Sequence, residues 1–146
     1  MLELLTQERW ALLTAALVFG ALIGSFLNVV IFRLPVMMER GWEDELALSQ
    51  DKEPPQRERF NLLTPRSRCG QCGHAITALE NVSIISWLAL RGKCSACGTR
   101  ISARYPLVEL VTALLFVGCA LTFGASMQAL AAMLFCAVLV ALTGID

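Results

Sequence analysis

Residues 69–78 read CGQCGHAITA, and residues 94–103 read CSACGTRISA. Both stretches contain two cysteines separated by two residues, followed by a glycine, an isoleucine, a small hydroxyl residue and an alanine at the same offsets. Two cysteines at this spacing can direct both sulfurs at one ion, and the glycine permits the tight turn that points backbone N–H groups at the sulfurs. Each copy is therefore predicted to form half of a metal site.

Together the two copies supply the four thiolates that a tetrahedral Zn²⁺ shell requires. The predicted ligands are Cys69, Cys72, Cys94 and Cys97, with 21 residues between the two pairs. The alternatives are two disulfides or a redox-active dithiol pair, and disulfides would need an oxidising compartment. His74 has Thr99 as its counterpart, lies outside the repeated unit and is interpreted as a surface residue.

The rest of the chain is apolar enough to enter a membrane. Residues 11–32 carry no charge, which suffices for a helix that crosses a hydrocarbon core of about 30 Å. Residues 110–146 carry no charge before the last residue, and Gly124–Ser126 divides this region into candidate spans at 107–123 and 127–145. We expect an α-helical integral membrane protein with three transmembrane helices and a small zinc-ribbon-like insert.

The distribution of basic residues predicts the orientation of these helices. Eleven of the twelve Lys and Arg residues lie between Arg33 and Arg104, which places this loop in the cytosol. We therefore expect the chain to consist of three segments. Residues 1–34 form an N-terminal segment and the first span, residues 35–106 form the cytosolic loop with its metal module at 69–103, and residues 107–146 form the second and third spans.

Several positions in the first span and loop carry more specific expectations. Ala16, Gly20 and Gly24 form a stripe of small residues for close helix contact. Asn28, on the same face, is expected either to bond across to another helix or to lie near the cytosolic interface. Arg33-Leu34-Pro35 is expected to end the first helix at the membrane surface.

Other stretches leave alternatives open. Residues 37–48 are expected to form a short interfacial helix, and 50–59 a flexible linker. Residues 82–90 suit either a buried strand or a segment that rests on the membrane, and periodicity does not decide between them. Glu109 either pairs with Arg104 or faces a functional cavity.

Five motifs resemble those of the prepilin peptidases, and the similarity spans nearly the whole chain. They are GSFLNVVIFRLP at 24–35, the two cysteine pairs, SWL at 86–88, RGKC at 91–94 and RYPLVE at 104–109. The resemblance implies a bifunctional enzyme of the bacterial inner membrane that removes the leader peptide from type IV prepilins and type II secretion pseudopilins. It also implies methylation of the new N-terminus with S-adenosyl-L-methionine. Ser83 departs from the proline that is frequent in the family.

A larger departure concerns the catalytic acids. In the family, an aspartate that matches Asp146 is followed by further membrane helices and a second catalytic aspartate in a Gly-x-Gly-Asp motif, which is absent from this sequence. The resemblance therefore implies that this chain is the N-terminal part of the enzyme, with Asp146 as its first catalytic residue. Aspartic peptidases use two carboxylates that share a proton, so we expect the 146 residues alone to be inactive.

The implied partners are prepilin and pseudopilin substrates, membrane lipid and the missing C-terminal helices, with no nucleic acid. A non-enzymatic membrane adaptor with a cytosolic zinc ribbon is the alternative function. A membrane thiol oxidoreductase is disfavoured because paired cysteines with following glycines suit a closed metal shell better than an exposed redox pair.

Overall fold

A computed structural model describes residues 2–65, 68, 69, 71–75 and 83–146, with side chains from residue 8 onward except Ser83. Gly70 and residues 76–78 of the first cysteine repeat lie outside this part of the chain, as does Val82. The helices in the described ranges are α1 (Leu2–Ser49), α2 (Ser83–Ala89), α3 (Arg104–Phe123) and α4 (Met127–Ile145). The chain is therefore α-helical, with a long loop between α1 and α3.

Three of these helices are long and apolar enough to cross a membrane. They lie within Glu8–Ser49, Arg104–Phe123 and Met127–Ile145, in agreement with the three spans expected from the sequence. The last two boundaries agree to within three residues with the predicted ones. The fold class of a helical membrane protein with a cysteine cluster in its loop is confirmed.

The small-residue stripe of α1 packs directly against the backbone of α3. A Cβ atom placed on Gly20 would lie 2.7 Å from the Cα of Ala113, and one placed on Gly24 would lie 2.6 Å from the Cα of Glu109. Real Cβ atoms do not approach other atoms this closely, so the helix contact depends on glycine at both positions. Lipid tails are as apolar as the helices themselves, so close packing must hold the two together.

Helices α3 and α4 form an antiparallel hairpin that also packs on α1. The turn uses Gly124 at a φ of 60°, and the hydroxyl of Ser126 accepts a hydrogen bond from the N–H of Ala129 to cap α4. Glycine adopts this left-handed conformation without the steric cost of a side chain. The buried core residues of the bundle are Ala16, Leu27, Phe116, Ala120, Met133 and Ala137.

The predicted end of the first helix at Arg33-Leu34-Pro35 is wrong. Helix α1 continues through Pro35 to Ser49. Proline in a helix interior removes one backbone hydrogen bond, a cost that neighbouring contacts can offset. The guanidinium of Arg33 donates to the carbonyl oxygens of Asn61 and Pro65, which ties the returning loop to α1 at this point. Residues 37–48 therefore belong to a protruding helix rather than a separate interfacial one.

The loop after α1 folds back along this protruding helix. Residues 52–60 have no regular secondary structure, as a linker should, but Phe60 packs under the guanidinium of Arg40 at 4.6 Å from its ring centroid. A strand at 82–90 is also wrong, because residues 83–89 form the helix α2. This short helix packs against α3.

The α1–α3 contact generates a stability prediction. Gly20→Ala should destabilise the bundle by about 1–3 kcal/mol, because the added methyl group meets the backbone of α3, which cannot move aside. Gly118→Ala is the matched control, since a Cβ there meets no atom within 4 Å. Both changes raise helix propensity equally, so the difference between their unfolding midpoints in detergent isolates the clash. Equal midpoints would contradict the close contact.

Candidate metal centre and the acids near it

The two cysteine repeats fold into matching turns. The N–H of Gly73 donates to the carbonyl oxygen of Cys69 at 3.0 Å, and the N–H of Gly98 donates to that of Cys94 at 3.0 Å. Both glycines have a φ of 70°, a conformation that side chains disfavour. Each first cysteine also donates its own N–H to the carbonyl five residues later, that of His74 or Thr99. Over the residues of both copies that the structure describes, the sequence repeat is therefore a structural repeat.

These turns bring all four sulfurs together. The Sγ atoms of the four cysteines lie within 4.8 Å of one another. Across the repeats, the sulfurs of Cys69 and Cys97 are 3.8 Å apart, and those of Cys72 and Cys94 are 4.0 Å apart. Tetrahedral Zn²⁺ with bonds of about 2.3 Å would place its sulfur ligands about 3.8 Å apart. The four thiols thus fit a tetrahedral metal shell and could bind one ion.

The second repeat also favours thiolate formation. The Sγ of Cys97 lies 3.2 Å from the Oγ1 of Thr99, and hydrogen bonding from that side chain and its backbone N–H lowers the pKa of Cys97 to about 6. Backbone hydrogen bonds, with that of Cys72 the largest contribution, lower the pKa of Cys69 as well. At Cys72 a backbone hydrogen bond from His74 lowers the pKa, but desolvation and the neighbouring thiols outweigh it and raise the pKa to about 11. A metal binds the thiolate form, so the contacts of Cys69 and Cys97 reduce the competition from protons at those two ligands only.

Trp87 fixes the second repeat to α2. Its indole Nε1 donates to the carbonyl oxygen of Ile101 at 3.2 Å, and its carbonyl oxygen accepts from the N–H of Gly92 at 2.8 Å. A Cβ on Gly92 would lie 2.9 Å from the indole ring, and its φ is 69°. The indole therefore packs flat against a turn that suits glycine, and the second repeat and α2 form one unit.

Glu109 attaches this unit to the membrane helices. The side chain is fully buried, with 0% exposure, and its Oε2 accepts a hydrogen bond from the N–H of Ile84 at 2.9 Å. The backbone of Glu109 lies against Gly24 of α1. The guanidinium of Arg104, which the sequence offers as a partner of Glu109, donates to the carbonyl oxygen of Gly144 in α4. Glu109 faces α2 rather than an open cavity.

Of the two alternatives for Asn28, the structure shows the bond to another helix. Its Nδ2 donates to the carbonyl oxygen of Tyr105 at 3.0 Å, across the α1–α3 contact. The residue is 5% exposed, and its Oδ1 is buried and accepts no hydrogen bond from the residues that the structure describes. Asn28 lies one turn beyond Gly24, so it joins the two helices just next to Glu109.

Asp146 lies at the same end of the bundle as the metal module. Helix α3 leads away from the module and α4 returns to it, so the Arg104 end of α3 meets the Gly144 end of α4. Asp146 is exposed, and its N–H donates to the carbonyl oxygen of Leu142. Within the described residues, Asp146 and Glu109 differ sharply in environment, one open to the surroundings and the other enclosed.

Sequence reasoning missed two contacts that hold the site together. The hydrogen bond from Ile84 to Glu109 joins residues 25 positions apart, and the indole of Trp87 reaches residues beyond the second cysteine pair. The only local signals were an acid inside an apolar helix and a tryptophan beside a Gly-Lys-Cys turn. Neither signal predicts which residue the side chain contacts.

Comparison with known proteins relates this arrangement to a family. Residues 18–123 match the family described as "Bacterial Peptidase A24 N-terminal domain". A prepilin leader peptidase/N-methyltransferase from Aeromonas salmonicida is 51% identical and aligns with 100% of this chain but 51% of its own length. Proteins of the same name from Pseudomonas putida and Pseudomonas aeruginosa are 49% and 46% identical, over 97% and 100% of this chain.

The matched relatives are longer than this chain, which spans about half of their length. No solved structure gives a significant match. The family match covers the close α1–α3 contact, all four cysteines and Glu109. On this evidence, the chain belongs to the bacterial peptidase A24 N-terminal domain family.

Proposed function

We propose that this chain is the N-terminal part of a membrane aspartic endopeptidase that removes prepilin leader peptides and methylates the new N-terminus. The observation that carries the proposal is the identity of 46–51% to proteins named prepilin leader peptidase/N-methyltransferase, over essentially the whole chain. Prepilins and pseudopilins are the proposed substrates, and S-adenosyl-L-methionine is the proposed methyl donor. We assign no residues to the methyl donor.

Asp146 is the proposed catalytic residue of the peptidase reaction. In an aspartic mechanism one carboxylate accepts a proton from the attacking water while the other, protonated, polarises the scissile carbonyl. This role rests on the resemblance to the prepilin peptidases, in which the first catalytic aspartate matches Asp146. Glu109 is not a suitable second acid, because it is enclosed and one of its oxygens accepts a backbone N–H. The second carboxylate would come from the C-terminal half present in the longer relatives.

The proposed metal is zinc, with a structural role. All four positions would be occupied by protein thiolates, which leaves no open position for water or substrate. Few apolar side chains of the described loop are buried, so metal binding would supply much of the folding free energy of the module. The proposed location is the bacterial inner membrane with the module in the cytosol, supported by the basic residues of the loop.

The metal assignment predicts about one zinc ion per chain in protein purified without chelators. Serine in place of Cys69, Cys72, Cys94 or Cys97 should release the metal and make the loop sensitive to protease. Cys119→Ser is the matched control, because this cysteine lies in α3 away from the cluster and should leave the zinc content unchanged. Mass spectrometry for metals measures the outcome. Metal-free wild-type protein would contradict the zinc site.

The orientation predicts opposite labelling of two engineered cysteines. Ala125→Cys in the turn between α3 and α4 should react with a membrane-impermeant maleimide in intact spheroplasts, because this turn faces outward. Ala125 is preferable to Ser126, whose hydroxyl caps α4. Gln50→Cys, at the end of α1, should react above the background of the parent protein only after lysis. The reverse pattern would invert the topology.

The catalytic assignment predicts that residues 1–146 alone do not cleave prepilin, because the second carboxylate is missing. Activity should appear when the C-terminal helices are supplied and should be lost on Asp146→Asn, which keeps the side-chain size but removes the ionisable proton. A gel shift of the processed pilin measures cleavage. Full activity of the restored enzyme with Asp146→Asn would overturn the role of Asp146, and cleavage by the isolated fragment would overturn the need for a second acid.

A further inference from the structure

The short helix α2 has one apolar side that nothing in the described structure covers. Ile85 is 70% exposed and Leu88 is 67% exposed, and both lie on the same side because residues three apart share a helix face. The opposite side carries Trp87, which contacts the second cysteine repeat, and begins at Ile84, whose N–H bonds to Glu109. The contacts of Ile84 and Trp87 thus fix the orientation of α2, and the side chains of Ile85 and Leu88 point away from the rest of the described structure.

The bond to Glu109 also sets the depth of α2 relative to the membrane. Helix α3 has 20 residues, and at 1.5 Å per residue it spans about 30 Å, the thickness of the hydrocarbon core. Arg104 therefore lies at the boundary of that core, and Glu109 lies about 7.5 Å further along the helix. Side chains in a helix lean towards its N-terminus, which brings the carboxylate back towards the boundary. Helix α2 is consequently held at the level where the headgroups meet the acyl chains.

The stretch of chain that contains α2 and the second cysteine repeat is basic. The stretch from Ser83 to Arg104 contains no acidic residue. Its exposed basic side chains are Arg91, Lys93, Arg100 and Arg104. Apolar side chains beside lysine and arginine, held at interfacial depth, match the character of protein surfaces that lie on anionic bilayers.

We propose that α2 and the second cysteine repeat form a lipid-contact surface that seats the metal module on the bilayer. Ile85 and Leu88 enter the boundary between headgroups and acyl chains, while Arg91, Lys93 and Arg100 contact lipid phosphates. The metal module then rests on the membrane beside the bundle instead of extending into the cytosol. This inference does not depend on the peptidase or methyltransferase activity.

Photocross-linking in membranes tests the surface directly. The photoreactive amino acid p-benzoylphenylalanine replaces Ile85 or Leu88 in the 146-residue chain and in the restored longer protein, and the adducts are identified by mass spectrometry. Leu48 is the matched control, because it is 62% exposed but lies 15 residues beyond Arg33, about 22 Å along α1. Zinc content equal to that of the parent identifies the variants whose module has folded.

The expected result is that phospholipid adducts form at positions 85 and 88 and do not form at position 48. Lipid adducts at neither α2 position, or adducts equally abundant at position 48, would overturn the proposal. Cross-links from α2 to the C-terminal half, to a second copy or to another protein in place of lipid would also overturn it, because the face would then be a protein interface.

The charge requirement has a separate test in bilayers of defined composition. Addition of phosphatidylglycerol to phosphatidylcholine should increase the lipid adduct at position 85, and Lys93→Gln with Arg100→Gln should remove that increase. The matched control is Lys52→Gln with Arg59→Gln, which changes two exposed basic residues of the linker. This variant should still show the increase in lipid adduct. If anionic lipid has no effect on the parent, or if both pairs respond alike, the basic side chains do not contact lipid as proposed.

Discussion

The approach of α1 to α3 at backbone distance is the constraint on which the other contacts depend. Glycine at positions 20 and 24 lets the two helices meet so closely that any side chain there would overlap the backbone of Ala113 or Glu109. Only at this distance can the short amide of Asn28 reach the carbonyl oxygen of Tyr105. The same contact encloses Glu109, so the buried acid is a consequence of how the helices pack.

From Glu109 a continuous series of contacts leads out of the membrane bundle to the metal cluster. The acid holds the first turn of α2, and Trp87 of α2 holds the second cysteine repeat through Ile101. The second repeat faces the first across the four sulfurs. A metal ion at that point would complete the connection, because the sulfurs are the part of each repeat that meets its counterpart. The ion would then set the position of the first repeat relative to the membrane.

The sequence predicted the features that depend on local pattern. Uncharged runs located the three spans, and the repeated cysteines and glycines predicted paired turns, because ligand spacing and backbone conformation are local properties. Pro35 does not end the helix, and distant residues contact the helix beyond it, as Phe60 does at Arg40. Residues 82–90 were ambiguous since their partners lie on α3 and the second repeat. The pairing of Glu109 was likewise set by a residue remote in sequence.

The two acids near the module end of the bundle lie in different environments. Glu109 is closed off by α1 and α2, and its oxygen accepts a fixed backbone N–H, so exchange of a proton with substrate would require α2 to leave. Asp146 is exposed at the end of α4, and its side chain makes no hydrogen bond to the residues that the structure describes. The enclosed position of Glu109 supports a positioning role, in which the buried acid would orient the metal module. The chemical role proposed for Asp146 rests on the similarity to the longer relatives and not on its surroundings in this chain.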